Sequence, residues 1–298
     1  MKKNQSVDLL HGPIFKSLSL LAIPIMATYF IQMAYNLVDM LWIGYLGSGA
    51  VASIGVSGNF MYLANGLVNM PKVGSQALVG QSLGAQNKKE THAYIQAAFQ
   101  SAIFFAVVYG IIIILFQKSL IQLFNLTDPT IIQDAQNYLW ITCGFVLFSF
   151  VNQIFTGILT AAGHSKSTFI ATTTGLVLNL ILDPILIFVF DLKVIGAALA
   201  TIIAQFIVTL VFLYDARNLE IFNEFQLLSK PEKNHIAKIL KIGFPTSVQS
   251  MLFTCISMYI ARLISAFGAI SVAVQKVGSQ IESISWMAAD GFSASINA

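Results

Sequence analysis

The chain has 298 residues, of which 56% are hydrophobic and only 10% charged, with a mean hydropathy of +0.77. Soluble domains carry roughly 25% charged residues, so this composition excludes an ordinary globular enzyme. The net charge of +3 is too small to point to nucleic acid, and the apolar residues fall in runs long enough to cross a bilayer. The sequence reads as an all-α polytopic membrane protein.

Eight spans are predicted. The N-terminal stretch MKKNQSVDLLHGPIFK leads into an apolar run too long for a signal-peptide core, so the first span, Leu18–Tyr45, is retained. It contains Pro24, and it carries Gln32, Asn36 and Asp39 at steps of four and three, which places them on one helix face. The second span, Val51–Gly80, has a stripe of Tyr62, Asn65, Asn69, Lys72 and Gln76 in the same rhythm, together with Pro71. Ala93–Phe116 and Asp134–Leu159 follow as spans three and four; Asn152 in the latter falls about 8 Å inward of the middle. Span five, Thr168–Phe190, aligns Thr172, Gly175, Asn179 and Asp183. Span six, Ile195–Tyr214, carries Thr201.

A polar connection follows, in which Ile221, Phe222, Phe225 and Leu228 would share one face of a surface helix. Beyond it come spans seven, Ile239–Phe267, and eight, Ile270–Ala298. With the N-terminus in the cytoplasm, the inner segments hold Lys2, Lys3, Lys16, Lys88, Lys89, Lys166, Arg217, Lys230, Lys233, Lys238 and Lys241. The outer segments hold only Lys118 and Lys193, and this asymmetry sets the orientation. Cys143 and Cys255 lie in separate apolar runs and read as packing residues.

The connection also divides a repeat. At one constant offset Pro24 meets Pro245, Gly47 meets Gly268, Val51-Ala52 meets Val272-Ala273, and Val56 meets Val277. The expected organisation is a six-helix lobe (1–214), a cytoplasmic linker (215–238) and the first two helices of a second, repeated lobe (239–298). The sequence stops at Ala298 inside an apolar helix, which reads as a truncated product or a piece of a longer protein. Repeats of this kind are a transporter signature, with sites built between or within the halves.

An ionisable residue in a span costs about 2.5–3.5 kcal/mol on insertion scales, so each is a functional candidate. At 1.5 Å rise per residue, Asp39 lies roughly 10 Å outward of mid-span, Asp183 roughly 6 Å and Thr201 about 5 Å. Lys72 runs roughly 10 Å the other way. Arg262 and Lys276 fall near the outer interface and are expected to snorkel. Glu282 and Asp290 are assigned no role. Pro184 cannot donate to the carbonyl of Leu180, so the carboxylate of Asp183 sits beside a loosened turn. Pro24 is expected to bend span one in the same way. Polar stripes on three spans imply a water-filled cleft, lined by Gln32, Asn36, Tyr62, Asn65, Asn69, Lys72 and Thr172. Two carboxylates facing it would be neutralised by protons or by a cation.

These stretches resemble the multidrug and toxic compound extrusion (MATE) transporters, and among them the DinF-like branch. The similarity rests on LAIPIMATYFIQMAYNLVDMLWIGYLG in span one, GSQALVGQSLGAQ closing span two, LNLILDP in span five and GAALAT in span six. The resemblance implies two six-helix lobes and antiport of organic cations or metabolites against H⁺, or less favourably Na⁺. It puts coupling at Asp39, Asn179, Asp183 and Thr201, with Asp183, Asn179 and Asp39 as the ligands should the ion be Na⁺. It implies no enzymatic activity, no cofactor and no resident metal. The partners are the cell-membrane bilayer and a small molecule, the chain acting as a monomer. A branch similar to NorM has a glutamate in span seven where this chain has Phe253. A lipid-linked oligosaccharide flippase of the same superfamily is the alternative, with Lys72 its slender support, and a truncated lobe that cannot alternate is another. An intramembrane aspartyl protease lacks its Y-D and G-x-G-D contexts, since Asp39 sits in NLVDM and Asp183 in LILDP.

Overall fold

The computed structural model describes residues 36–222 and 232–296, with isolated positions 27, 30, 31 and 34; side chains are described except at 269, 280, 284 and 286–296. The chain is all-α. Helix α1 covers residues 36–45 of the described part, and α2 (Ser48–Gly84), α3 (Lys88–Gln122), α4 (Pro129–Gly144), α5 (Val146–Ala161), α6 (Ser165–Pro184) and α7 (Lys193–Ala216) follow. A 3₁₀ turn at Glu220–Phe222 precedes α8 (Lys233–Ser265) and α9 (Ala269–Ile296). Among the described residues, five helices are long and apolar enough to cross a membrane, or six if α4 and α5 count as one bent span. The chain is therefore a multi-span membrane protein.

Local chemistry sets several helix ends. Asn87 accepts from the Glu90 N–H at the start of α3, and Asp128 accepts from the Thr130 N–H ahead of Pro129, which occupies the first turn of α4. Both satisfy a donor that the first turn leaves open. Hydrogen bonds from Thr130, first its hydroxyl and then its N–H, hold the exposed Asp128 carboxyl below its ordinary pKa. Gly47 (φ 101°) and Gly268 (φ 95°) make the turns into α2 and α9, a conformation in which a Cβ is strained. They are the two glycines paired by the repeat register.

Helix α2 is the hub: it packs against α3, α4, α5, α8 and α9. Ser57 donates to the Ala135 carbonyl of α4 at 2.8 Å, and Tyr109 of α3 to the Phe60 carbonyl at 2.5 Å. In lipid such bonds and close packing hold helices together, because burial of apolar surface no longer discriminates protein from solvent. The α2–α8 contact is the tightest kind. A methyl added at Gly74 would lie 2.7 Å from the Ile239 carbonyl carbon, and one at Gly243 would lie 2.7 Å from that of Met70. Ser247 of α8 also donates to the Gly66 carbonyl at 2.7 Å.

Three features differ from the sequence expectation. Span four is not one rod: α4 and α5 meet at 47° around Phe145, with no proline to announce it. Helix α8 starts at Lys233, inside the stretch assigned to the linker. The surface helix expected across Ile221 to Leu228 is a short 3₁₀ turn where it is described, its Phe222 ring 5.7 Å from Phe155; Phe225 and Leu228 lie outside the described residues.

Candidate functional site

The site forms where α6 ends. Pro184 removes one N–H from the helix ladder, and α6 widens directly afterwards into a π-helical turn at Ile185–Val189, closed by the Phe190 N–H on the Ile185 carbonyl at 3.0 Å. Such turns recur at functional positions. Gly196 of α7 lets the backbones approach: a Cβ there would lie 2.7 Å from the Leu186 carbonyl. Asp183, the residue before Pro184, is therefore held inside, 0% exposed. Asn179, one turn earlier on the same face, is also buried.

Helix α1 brings Asp39 to this point. Its carboxyl stands close enough to that of Asp183 for each to act on the other, and Asn179 acts on the Asp183 carboxyl, whose two oxygens are buried with no hydrogen-bond partner among the described residues. Tyr138 of α4 stands close enough for both carboxyls to act on its phenol. The charge of Lys276, from α9, acts on Asp39. Tyr138 packs against an apolar cluster that includes Ile43 of α1, Val51 and Ile54 of α2, Ile187 of the π turn, Val194 and Ala197 of α7, and Ala273 of α9. Two adjacent carboxyls in such a setting cannot both hold an unpaired charge; a shared proton or a bridging cation resolves the conflict. Among the described residues no group of three or more His, Cys, Asp and Glu side chains is placed to hold a metal ion. Two carboxyls and an amide suit a proton or a hard cation bound by oxygen.

The other sequence candidates are placed as follows. Pro24 and Gln32 lie outside the described residues. Asn36 is half-buried one turn before Asp39, and Asn65 is half-buried on α2. Thr201 and Thr172 donate within their own helices, to Ala197 at 3.0 Å and to Thr168. The α2 stripe divides between neighbours. Tyr62 lies beneath the Lys276 ammonium, Asn69 donates to Ser250 of α8 at 3.4 Å, and Lys72 donates to Gln153 of α5 at 2.6 Å. Lys72 is thus tied to another part of the bundle from the acid pair. Lys276 does not snorkel outward; it lies half-buried along α2.

Two polar groups given no role by the sequence have clear partners in the fold. Asn152 donates to the Gln205 carbonyl and side-chain oxygen at 2.9 and 2.8 Å and accepts from Thr209 at 2.9 Å, pinning α5 to α7. Their spacing along the chain gives no hint of this, since the partners are over fifty residues apart. At the start of α8, His235 bridges Glu90 of α3 at 3.2 Å and Glu232 at 2.6 Å, with Tyr94 edge-on to its ring.

The MatE family profile matches residues 24–185, which include Asp39, Asn179 and Asp183 and make up more than half of the chain. The chain belongs to the MatE family. Similar proteins include a probable multidrug resistance protein NorM of Thermotoga maritima, 26% identical over 290 residues, covering 95% of this chain and 62% of that protein. Another is the multidrug export protein MepA of Staphylococcus aureus, 28% identical over 284 residues, covering 92% of this chain and 61% of that protein. The chain thus spans about three fifths of the relatives it matches. In structure it resembles an outward-facing multidrug resistance MATE transporter of the MOP superfamily (TM-score 0.84, 22% identity, 99% of this chain and 66% of the other). It also resembles a MOP superfamily transporter from Pyrococcus furiosus Vc1 whose binding pocket is described as having reversed polarity (TM-score 0.85, 22% identity, 99% and 66%). These likenesses show the fold.

Proposed function

We propose that this MatE chain belongs to a cation-coupled antiporter that exports organic cations, drugs or metabolites across the cell membrane, with H⁺ favoured over Na⁺ as the coupling ion. The observation that carries the reading is the meeting of Asp39 and Asp183, from two helices far apart in sequence, beside Asn179 and the Pro184 turn. The names of the relatives, a multidrug resistance protein and a multidrug export protein, support the direction and the cargo class. In this reading Asp183 and Asp39 exchange a proton for cargo, and the π turn lets α6 adjust between the two states. Asn179 positions Asp183, and Thr201 serves as a further ligand from α7. The DinF-like resemblance of span five favours this first-lobe site over one in the second lobe, where Phe253 replaces an acid.

The organisation proposed is a six-helix lobe to Tyr214, a cytoplasmic connection, and the opening pair of helices of a second lobe, with the N-terminus inside. The matched turn glycines Gly47 and Gly268 support the repeat. The test is pH-gradient-driven movement of ethidium in proteoliposomes carrying this chain. Wild type should respond to the gradient, and Asp39→Asn and Asp183→Asn should not. Gradient-driven movement by Asp183→Asn at the wild-type rate overturns the assignment, and a response to Na⁺ alone would reverse the choice of ion.

A further inference from the structure

Lys276 comes from α9, the second helix after the linker, whereas the acid pair belongs to α1 and α6. Its aliphatic stem lies along α2, with Cγ 3.5 Å from where a Cβ on Gly55 would stand, and its ammonium is 3.9 Å from the same point on Gly58. Larger residues at 55 and 58 would lift the chain off α2. The ammonium rests 5.2 Å from the centroid of the Tyr62 ring, a geometry that attracts a cation to the ring face. It also acts on Asp39. An aromatic face and a carboxylate are the two features that attract an organic cation; Lys276 rests over the first, and its charge acts on the second.

We propose that Lys276 is a specificity-determining residue, a tethered cation that competes with cargo for Tyr62 and Asp39 and so selects against ligands of higher positive charge. This inference rests on the cation-export reading of the same acid pair and adds to it a charge filter supplied by the second group of helices. A monocation can share the site with the ammonium held aside. A dication of the same shape meets one negative charge fewer than the acid pair alone would offer.

Ethidium and propidium share a phenanthridinium ring and carry one and two positive charges. Their binding to the purified chain would be measured by fluorescence anisotropy for wild type, Lys276→Gln, Lys276→Arg and Asp183→Asn. Loss of the tethered cation should tighten propidium about tenfold relative to ethidium in Lys276→Gln, the scale of one cation–π contact with its ion partner. Lys276→Arg should keep the wild-type ratio, which a merely structural role for the stem would not require. Propidium binding by Lys276→Gln alone would support the filter in its strongest form. An unchanged ratio in Lys276→Gln, with binding lost in Asp183→Asn, would overturn the inference and leave the export site standing. Binding that no variant alters, or none by any variant, would overturn both.

Discussion

Replacing Gly243 by alanine tests how α2 and α8 are joined. The new methyl would sit 2.7 Å from the carbonyl carbon of Met70 and 2.8 Å from its Cα, closer still to the carbonyl oxygen. Carbon atoms rest about 3.5–4.0 Å apart, so the two backbones must part by about 1 Å. Neither side can yield by rotating a side chain, because the obstructing atoms are backbone. Overpacking of this kind costs about 1–3 kcal/mol, while exchange of glycine for alanine inside a helix returns about 1 kcal/mol. Gly278, within α9, offers the comparison, since a Cβ there meets open space. Gly278→Ala should therefore be neutral or stabilising, and Gly243→Ala should fall about 1–3 kcal/mol below it. Separation would also stretch the Ser247–Gly66 bond of 2.7 Å. Gly74→Ala obstructs the same contact from the other side, so the double variant should lose less than the sum of the singles. Chemical denaturation in detergent reads all four. A Gly243→Ala chain as stable as Gly278→Ala would refute the backbone contact.

Three further outcomes follow from the same structure. Asn152→Ala should lower stability by about 1–2 kcal/mol in the same denaturation assay, because Gln205 and Thr209 lose their shared partner inside the bundle; no change would mean that water replaces the amide. Asn87→Ala should cost about 1 kcal/mol through the lost cap on α3, with Asn87→Ser largely restoring it. His164, at the turn between α5 and α6, has its imidazole pKa lowered by burial, against the opposing pull of Asp215. Its neutral form is thus favoured by folding, so this contribution is complete above about pH 6.5 and is lost as the pH falls below it. His164→Asn should flatten thermal stability between about pH 7 and pH 5, whereas an identical acid-side loss in the variant would assign that loss to other groups.

The legible part of this fold was the part written in runs and phase. Apolar length marked the spans, and the three- and four-residue steps put Asn179 and Asp183 on one face of α6. Counting rise per residue set Asp39 and Asp183 at similar depth, and in the structure each carboxyl acts on the other. Their approach needs α1 and α6 to come together, which no local pattern encodes. The bend at Phe145 was hidden because no proline causes it. Lys276 was misread for a related reason: depth alone sends a lysine near a span end to the interface, but Gly55 and Gly58 open a path along α2 that only the packed helices reveal. Lys72 followed its stripe in the sequence, yet Gln153 on α5 decides where its ammonium goes.

If Asp39 and Asp183 exchange a proton for a cation, binding of the cation must release protons. Ethidium binding to the purified chain in weakly buffered solution, followed by a pH indicator, reads that release. It should rise with ethidium occupancy in wild type and be lost in Asp183→Asn. Ethidium binding that releases no protons, or releases them equally in Asp183→Asn, would refute the exchange.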